Sequence, residues 1–348
     1  MIQGGIKTEE NYRDVMLDSS SSLKDFSKDR KKYYRKYILN EEVREKDTTA
    51  IIVGKTVETL LLEPHLFDDK FYMSACVGVP TGLMLAFVEA LYEFTVEATN
   101  EEGEITREFS EISMDAYVAS GFKIKYEAVL NKFIGSDAEI YYDEIRKVRA
   151  LNLIVVTPQE VSNATKIVEE LKTNFVTKDI LNLVNSPRYT ILDQHQVEGY
   201  EIDEHKFKSM MDRVVIDHEL KTIQPYDLKC TWTVENFYSE YYLYRRAYIQ
   251  AFLYFWACKH MQTLDPDLAD YKVEYVKFIV CDSTNYFNPL IYTLDDVDMG
   301  DAYVGFEING RKYPGVSDII TDLSWAIHTN TWNISRENFN QNGIVNLK

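Results

Sequence analysis

Phe207 to His260, FKSMMDRVVIDHELKTIQPYDLKCTWTVENFYSEYYLYRRAYIQAFLYFWACKH, is the stretch that decides the fold. From Lys208 to Ile216 the side chains of Lys208, Met210, Asp212, Val214 and Ile216 share one face of an extended strand, because strand neighbours point to opposite sides. A second apolar run, Thr222 to Trp232, follows a polar connection of hairpin length, His218-Glu219-Leu220-Lys221. A hairpin centred between Glu219 and Leu220 puts Asp212 directly opposite Asp227, and Lys229 then shares the face of Asp227. The remainder predicts a long helix from about Val234, capped by Thr233, on which Arg246, Gln250 and Tyr254 recur every four residues along one face.

Two carboxylates held side by side repel one another, a cost that a divalent cation removes. Mg²⁺ takes oxygen ligands and keeps several waters, so two carboxylates and a substrate phosphate suit it, with Mn²⁺ as a substitute. A lysine beside them would orient or help deprotonate an attacking water while the metal stabilises charge on phosphate oxygens, which is the chemistry of phosphodiester hydrolysis. The bland reading of a lone Asp-x-Lys is a solvated surface pair. Glu219-Leu220-Lys221 has the same form but falls in the polar turn, whereas Asp227-Leu228-Lys229 is flanked by Tyr226 and Trp232 and belongs to a more buried strand. Pro225 argues against a central strand at that point and suggests a bulge or the start of regular pairing. An amide, a phenol and a guanidinium on one stripe would bind nucleic acid, although for Tyr238, Tyr241, Tyr242 and Tyr244 core packing is the simpler expectation.

Asp212, then Asp227-Leu228-Lys229, then Gln250-Ala-Phe-Leu-Tyr254 resembles the PD-(D/E)xK nuclease superfamily, in the branch that holds RecB-type nuclease domains, lambda exonuclease and RecE-type exonuclease VIII. The chain is most similar to phage RecE-like proteins. Ser19-Ser20-Ser21-Ser22-Leu23, Gly54 followed by Leu60-Leu61-Leu62-Glu63-Pro64, Tyr313-Pro314-Gly315-Val316 and Leu323-Ser324-Trp325 carry that likeness over most of residues 19–330. It implies an α/β fold, a mixed central β-sheet flanked by helices, with a helical N-terminal and middle region. It also implies Asp212, Asp227, Lys229 and Glu58 as the catalytic set, with Asp212, Asp227 and Glu58 on the metal and Gln250, Tyr254 and Arg246 on the substrate. One departure is that Glu58 stands where RecE-like relatives carry a helical histidine; a glutamate there in other branches serves as ligand or holds a metal-bound water. Glu198 is a further candidate by the same likeness. The implied activity is a Mg²⁺-dependent exodeoxyribonuclease that resects duplex DNA from an end, partnered by a single-strand annealing protein and assembled as a homo-oligomeric ring. An endonuclease or repair nuclease of the same superfamily, or a non-catalytic interaction protein on a decayed nuclease fold, are the alternatives.

Composition bounds these expectations. The chain has 348 residues, 45% of them hydrophobic, a globular balance. Cys76, Cys230, Cys258 and Cys281 have neither paired nor zinc-like spacing and supply no iron–sulfur cluster, which points to a reducing cytoplasm. No signal peptide is read in the polar N-terminus and no run approaches membrane length, so a cytoplasmic location is expected; a bacterial host cell and a phage origin are what the RecE-like resemblance implies. A net charge of −18 is awkward for a DNA enzyme, but it is unevenly spread: seven bases lie between Lys24 and Lys36, and nine acids face Arg107 alone between Glu89 and Asp115. A basic channel on an acidic body is one reading, solvated helix faces the other.

In chain order, residues 1–18 read as an arm and 19–330 as one nuclease domain with a helical insertion at about 66–187, before a tail at 331–348. Ser20 to Ser22 are N-cap candidates for a helix through Leu39, and a second helix runs from Thr49 to Leu62 and stops at Pro64. Helices are expected at Leu83–Val96, Met114–Phe133, Tyr141–Leu151 and Pro158–Thr173, and strands at Asn152–Thr157, Tyr189–Ile202 and Lys272–Asp282.

Overall fold

The computed structural model describes residues 12, 15–41, 48–75, 79–151, 153–284 and 288–345; Cys76 and most of the expected arm lie outside them. The chain divides into two compact units, Met1–Asp47 with Glu169–Lys348, and Thr48–Val168. Helix α1 (Ser20–Lys28) opens the first unit. The second holds α2 (Thr49–Leu62), β1 (Phe71–Met73), α3 (Gly82–Glu97), α4 (Phe109–Ser120), α5 (Tyr126–Phe133), α6 (Asp137–Val148), β2 (Ile154–Val156) and the start of α7 (Pro158–Thr173). The first unit resumes with β3 (Tyr189–Ile202), β4 (His205–Asp217), β5 (Thr222–Thr231), α8 (Ala247–Leu264), β6 (Lys272–Val273), β7 (Lys277–Asp282), β8 (Leu290–Tyr292), α9 (Asp296–Val304), β9 (Gly305–Ile308), β10 (Arg311–Pro314) and α10 (Val316–Thr329). The protein is α/β, with a mixed central sheet flanked by helices.

In the second unit Phe87, Leu91, Ile112, Ala116, Phe133 and Ile145 form a buried core between α3, α4, α5 and α6. The helix expected from Met114 to Phe133 is two, because Gly121 takes a left-handed conformation (φ 75°) and closes α4.

The main sheet of the first unit runs β3-β4-β5-β7-β8, with β6 also pairing β5. β3, β4 and β5 are antiparallel, β5 pairs β6 and β7 in parallel, and β7 pairs β8 antiparallel. Asp217 pairs Thr222, Ile216 pairs Ile223 and Arg213 pairs Tyr226, the register expected from a turn centred between Glu219 and Leu220. Asp217 Oδ1 fixes that turn by accepting from the Glu219 and Leu220 amides at 2.9 and 3.0 Å.

Pro225 does lie in a central strand, opposite Val214. Odd-numbered residues of β5 direct their backbone groups at the parallel neighbours: Ile223 O accepts from Glu274 N at 2.9 Å and Thr231 O from Ser283 N at 2.7 Å. The missing N–H of proline therefore falls in the gap between the end of β6 and the start of β7, where no ladder bond is lost. The run KVEYVKFIVCD is accordingly two strands, and in the break between them Gln224 Nε2 donates to Tyr275 O at 2.7 Å.

Beyond Arg213–Tyr226 the β4–β5 ladder stops; β4 continues against β3, while β5 continues against β7 from Tyr226 to Thr231. The sheet forks there, with Asp212 as the next residue on one branch and Asp227 on the other.

Two helices depart from the expected pattern. The segment after β5 is not one helix from Val234: a 3₁₀ turn (Val234–Asn236) and a π-helix (Tyr238–Tyr244) precede a left-handed Arg246 (φ 58°), and only then does α8 begin. Likewise α1 ends at Asp29, whose extended backbone breaks the expected helix to Leu39 and caps the next short turn through Lys31 N. Its N-cap is Ser19, one residue before the expected candidates, in a reciprocal capping box with Ser22. Asp18 ties this helix start to β4 by a parallel bridge to Phe207, and its carboxylate accepts from Tyr33 Oη at 3.0 Å and meets His205 Nε2 at 2.8 Å.

Among the described residues no helix is long and apolar enough to cross a membrane. In the Tyr313-Pro314-Gly315-Val316 segment, a Cβ on Gly315 would overlap the Tyr303 carbonyl oxygen and the Gly305 nitrogen. Rigid backbone cannot yield as a side chain does, so Gly315→Ala is expected to cost about 2 kcal/mol or more. Chemical denaturation checks this; an unchanged midpoint contradicts the close approach.

Candidate active site

Asp227 is fully buried. A carboxylate removed from water needs charged or hydrogen-bonding partners, and those around it define the site. Oδ1 accepts from Gln250 Nε2 at 2.7 Å. Oδ2 makes no hydrogen bond and lies against the Lys229 ammonium, two residues along the same strand. Across the fork, Asp212 Oδ2 accepts from the Leu228 amide at 2.7 Å. The side chain thus takes the place that a β4 carbonyl would hold if the ladder continued, and it holds Asp212 beside the Asp227-Leu228-Lys229 backbone.

Gln250 and Tyr254 come from the first two turns of α8, one turn apart as their spacing requires. Gln250 Nε2 donates to Tyr254 Oη at 2.8 Å, and Tyr254 Oη donates to Met210 O at 2.6 Å. Both side chains are buried. Burial, with the charges of Asp212 and Asp227, holds the Tyr254 phenol well above its ordinary pKa, so it stays a donor through the physiological range.

Lys24, which sequence reasoning missed, completes this network. From α1 its Nζ donates to Gln250 Oε1 at 3.0 Å. Burial first, then the Lys229 charge, pulls its pKa down to about 7, with Asp227 acting in the other direction. The only signal in the sequence was its place beside Leu23 and Phe26, the buried face of α1, and the basic run to Lys36 masked it. Other members of that run are paired locally: Lys32 and Lys36 share Asp25, Arg30 pairs with Asp322, and Arg35 with Glu41.

The remaining expected residues are placed differently. Arg246 precedes α8 in its left-handed conformation and is not part of the helical stripe with Gln250 and Tyr254; its Nη1 is shielded and makes no hydrogen bond. Glu198 pairs in register with Lys208 and is half-buried, where a surface position was expected without the family likeness. Glu58 belongs to the other unit, where it is half-buried on α2. Of the four tyrosines expected in the core, Tyr242 is buried and Tyr241 half-buried, while Tyr238 and Tyr244 are 49% and 63% exposed. Lys28 lies 5.2 Å over the Tyr244 ring. The rejected Glu219 is exposed and pairs with Arg188 at 2.7 Å.

Among the described residues no three His, Cys, Asp or Glu side chains are grouped so as to hold a metal ion. The fork does offer two carboxylates side by side, Asp212 on the Leu228 amide and Asp227 with its Oδ2 shielded from water and paired only with the Lys229 ammonium. Such a donor pair fits a hard cation like Mg²⁺, which takes one or two protein carboxylates and keeps its waters.

Lys24 also gives a pH signature. With a folded value of about 7 against the ordinary 10.5, the unfolded chain binds the extra proton between these two pH values. Stability therefore rises with pH across that window. Denaturation of wild type and Lys24→Met should show their difference moving in favour of wild type from pH 7 to 10; a flat difference contradicts the assignment.

No protein-family model and no curated protein matches the chain. Among solved structures, the chain is similar to a crystal structure of a protein from Eubacterium rectale, provisionally described there as an exonuclease, at 13% identity and a TM-score of 0.47 over 99% of this chain and 96% of that one. That likeness is too distant to carry weight.

Proposed function

We propose that the chain is a divalent-cation-dependent nuclease that hydrolyses phosphodiester bonds of DNA. The observation that carries this reading is the assembly at one fork of Asp212, the buried Asp227, Lys229 and the Gln250–Tyr254 pair, from two strands and a helix. Both oxygens of the buried Asp227 are engaged, Oδ1 by Gln250 and Oδ2 by the Lys229 ammonium, so the carboxylate is held ionised beside Asp212.

Asp212 and Asp227 would hold the cation, which when bound supplies Lewis acidity to the phosphate and a more acidic water. Gln250 keeps Asp227 in one orientation, because its Nε2 is shared between that carboxylate and Tyr254 Oη. Lys229 presents its Nζ beside Asp227 Oδ2, where its N–H groups would orient an attacking water; only in the neutral amine form would it accept that water's proton, which it would then hold as the ammonium. The finer reading is that of the resemblance: digestion of linear duplex from an end, a single-strand annealing partner and a ring of identical subunits.

End-labelled linear duplex and covalently closed duplex, each incubated with Mg²⁺ or with EDTA, test both levels. The proposal expects degradation of the linear form with Mg²⁺ only, and survival of the closed form if an end is required. Loss of the Lewis-acid site removes several kcal/mol of transition-state stabilisation, so Asp227→Asn should lower the rate by about a thousandfold or more. The exposed Glu219→Gln should leave it unchanged. No cleavage of any DNA by wild type contradicts the nuclease reading, and loss of activity in Glu219→Gln alone contradicts the choice of Asp227-Leu228-Lys229.

A further inference from the structure

We propose that Lys24 is a positioning residue of this centre, the group that anchors the oxygen end of the Gln250 amide and so holds its Nε2 between Asp227 and Tyr254. For its functional consequence the inference rests on the nuclease reading; for its geometry it rests on hydrogen bonds alone.

A glutamine amide is nearly symmetric in shape but not in chemistry, with an acceptor oxygen at one end and two N–H donors at the other. Gln250 is caught between a donor at its oxygen end and acceptors at its nitrogen end. Lys24 Nζ carries N–H donors in either protonation state and donates to Oε1 at 3.0 Å. An ionised carboxylate can only accept, and Asp227 Oδ1 lies 2.7 Å from Nε2. The second N–H goes to Tyr254 Oη at 2.8 Å, whose own proton is committed to Met210 O at 2.6 Å. Every donor in this relay therefore points one way, from Lys24 through Gln250 to Asp227 and to Tyr254.

Without Lys24 the oxygen end of the amide loses its partner, and Gln250 is held at its nitrogen end alone. Turned over, Gln250 would set Oε1 against Asp227 Oδ1, two acceptors in contact within a buried site, and Tyr254 would lose the proton it accepts. The cost of keeping an ammonium there argues against a purely structural role, since a methionine of similar length would pack without burying charge. The fold also provides for it. The Asp18 bridge to β4 and the Ser19–Ser22 capping box fix the start of α1, which carries Lys24 to a partner 226 residues away in sequence.

The test uses the full chain as wild type, Lys24→Met, Lys24→Arg, Gln250→Ala and the double variant Lys24→Met/Gln250→Ala. In protein labelled with 15N at glutamine, the Gln250 side-chain amide is identified by its loss in Gln250→Ala. It is expected as a slowly exchanging pair in wild type and Lys24→Arg, and broadened or fast-exchanging in Lys24→Met. An unchanged pair in Lys24→Met overturns the proposal whether or not the protein cleaves DNA. In cleavage of linear duplex, Lys24→Met should lower kcat by about 10- to 100-fold, the usual effect of a group acting through a ligand's partner, with KM nearly constant. Lys24→Arg should restore most of it, and Lys24→Met should cost nothing further in the Gln250→Ala background. A raised KM at constant kcat would make Lys24 a substrate contact instead, and additive losses would make it independent of Gln250; either overturns the proposal. A wild type that cleaves no DNA removes the nuclease reading and this role with it, a failure that an intact amide signal distinguishes from a wrong geometry.

Discussion

Much of the first unit depends on one constraint, the accommodation of the fully buried Asp227 carboxylate. A charge in that position is tolerated only if neighbouring groups replace the water it has lost. The replacements come from separate parts of the chain: Lys229 from the same strand, Gln250 from α8, and Lys24 behind Gln250 from α1. Each requires an irregularity in an otherwise ordinary architecture. The β4–β5 ladder must stop at Arg213–Tyr226 to open the fork, the helical path after β5 must be interrupted at Arg246 before α8 starts, and α1 must be tied to β4 through Asp18.

These irregularities also separate the legible parts of the sequence from the illegible ones. The hairpin register was readable because a polar four-residue turn between two alternating runs leaves little freedom, and a one-residue slip would reverse every side chain. The spacing of Gln250 and Tyr254 was readable because α-helical periodicity fixes it. What could not be read was set by tertiary context. A left-handed arginine carries no local signal, since glycine or asparagine is the usual occupant of that conformation, so Arg246 looked like one more turn of helix. Pro225 looked misplaced because its compatibility depends on a gap between β6 and β7, strands that follow it by more than forty residues. Lys24 looked like one of seven solvated bases, and only its long-range bond to Gln250 distinguishes it.

The charge distribution takes on a different meaning at this level. The basic run from Lys24 to Lys36 suggested a basic channel, yet four of its members pair with three acids, Asp25, Glu41 and Asp322. A phosphate arriving at the fork would meet a few ammonium groups held beside carboxylates, not a uniformly basic surface. Those groups are expensive to keep: the depressed pKa of Lys24 reports an ammonium under strain from burial and from Lys229. Sites that hold such groups commonly sacrifice stability for function.

The most direct measurement of the central claim is single-turnover cleavage of linear duplex DNA in 18O-labelled water with Mg²⁺, by wild type and by Asp212→Asn and Asp227→Asn. Direct attack by water at this fork predicts one 18O atom in each newly formed phosphate terminus with wild type, and no detectable product on the same timescale with either variant. Unlabelled termini, or labelled termini formed at an undiminished rate by Asp227→Asn, would contradict it.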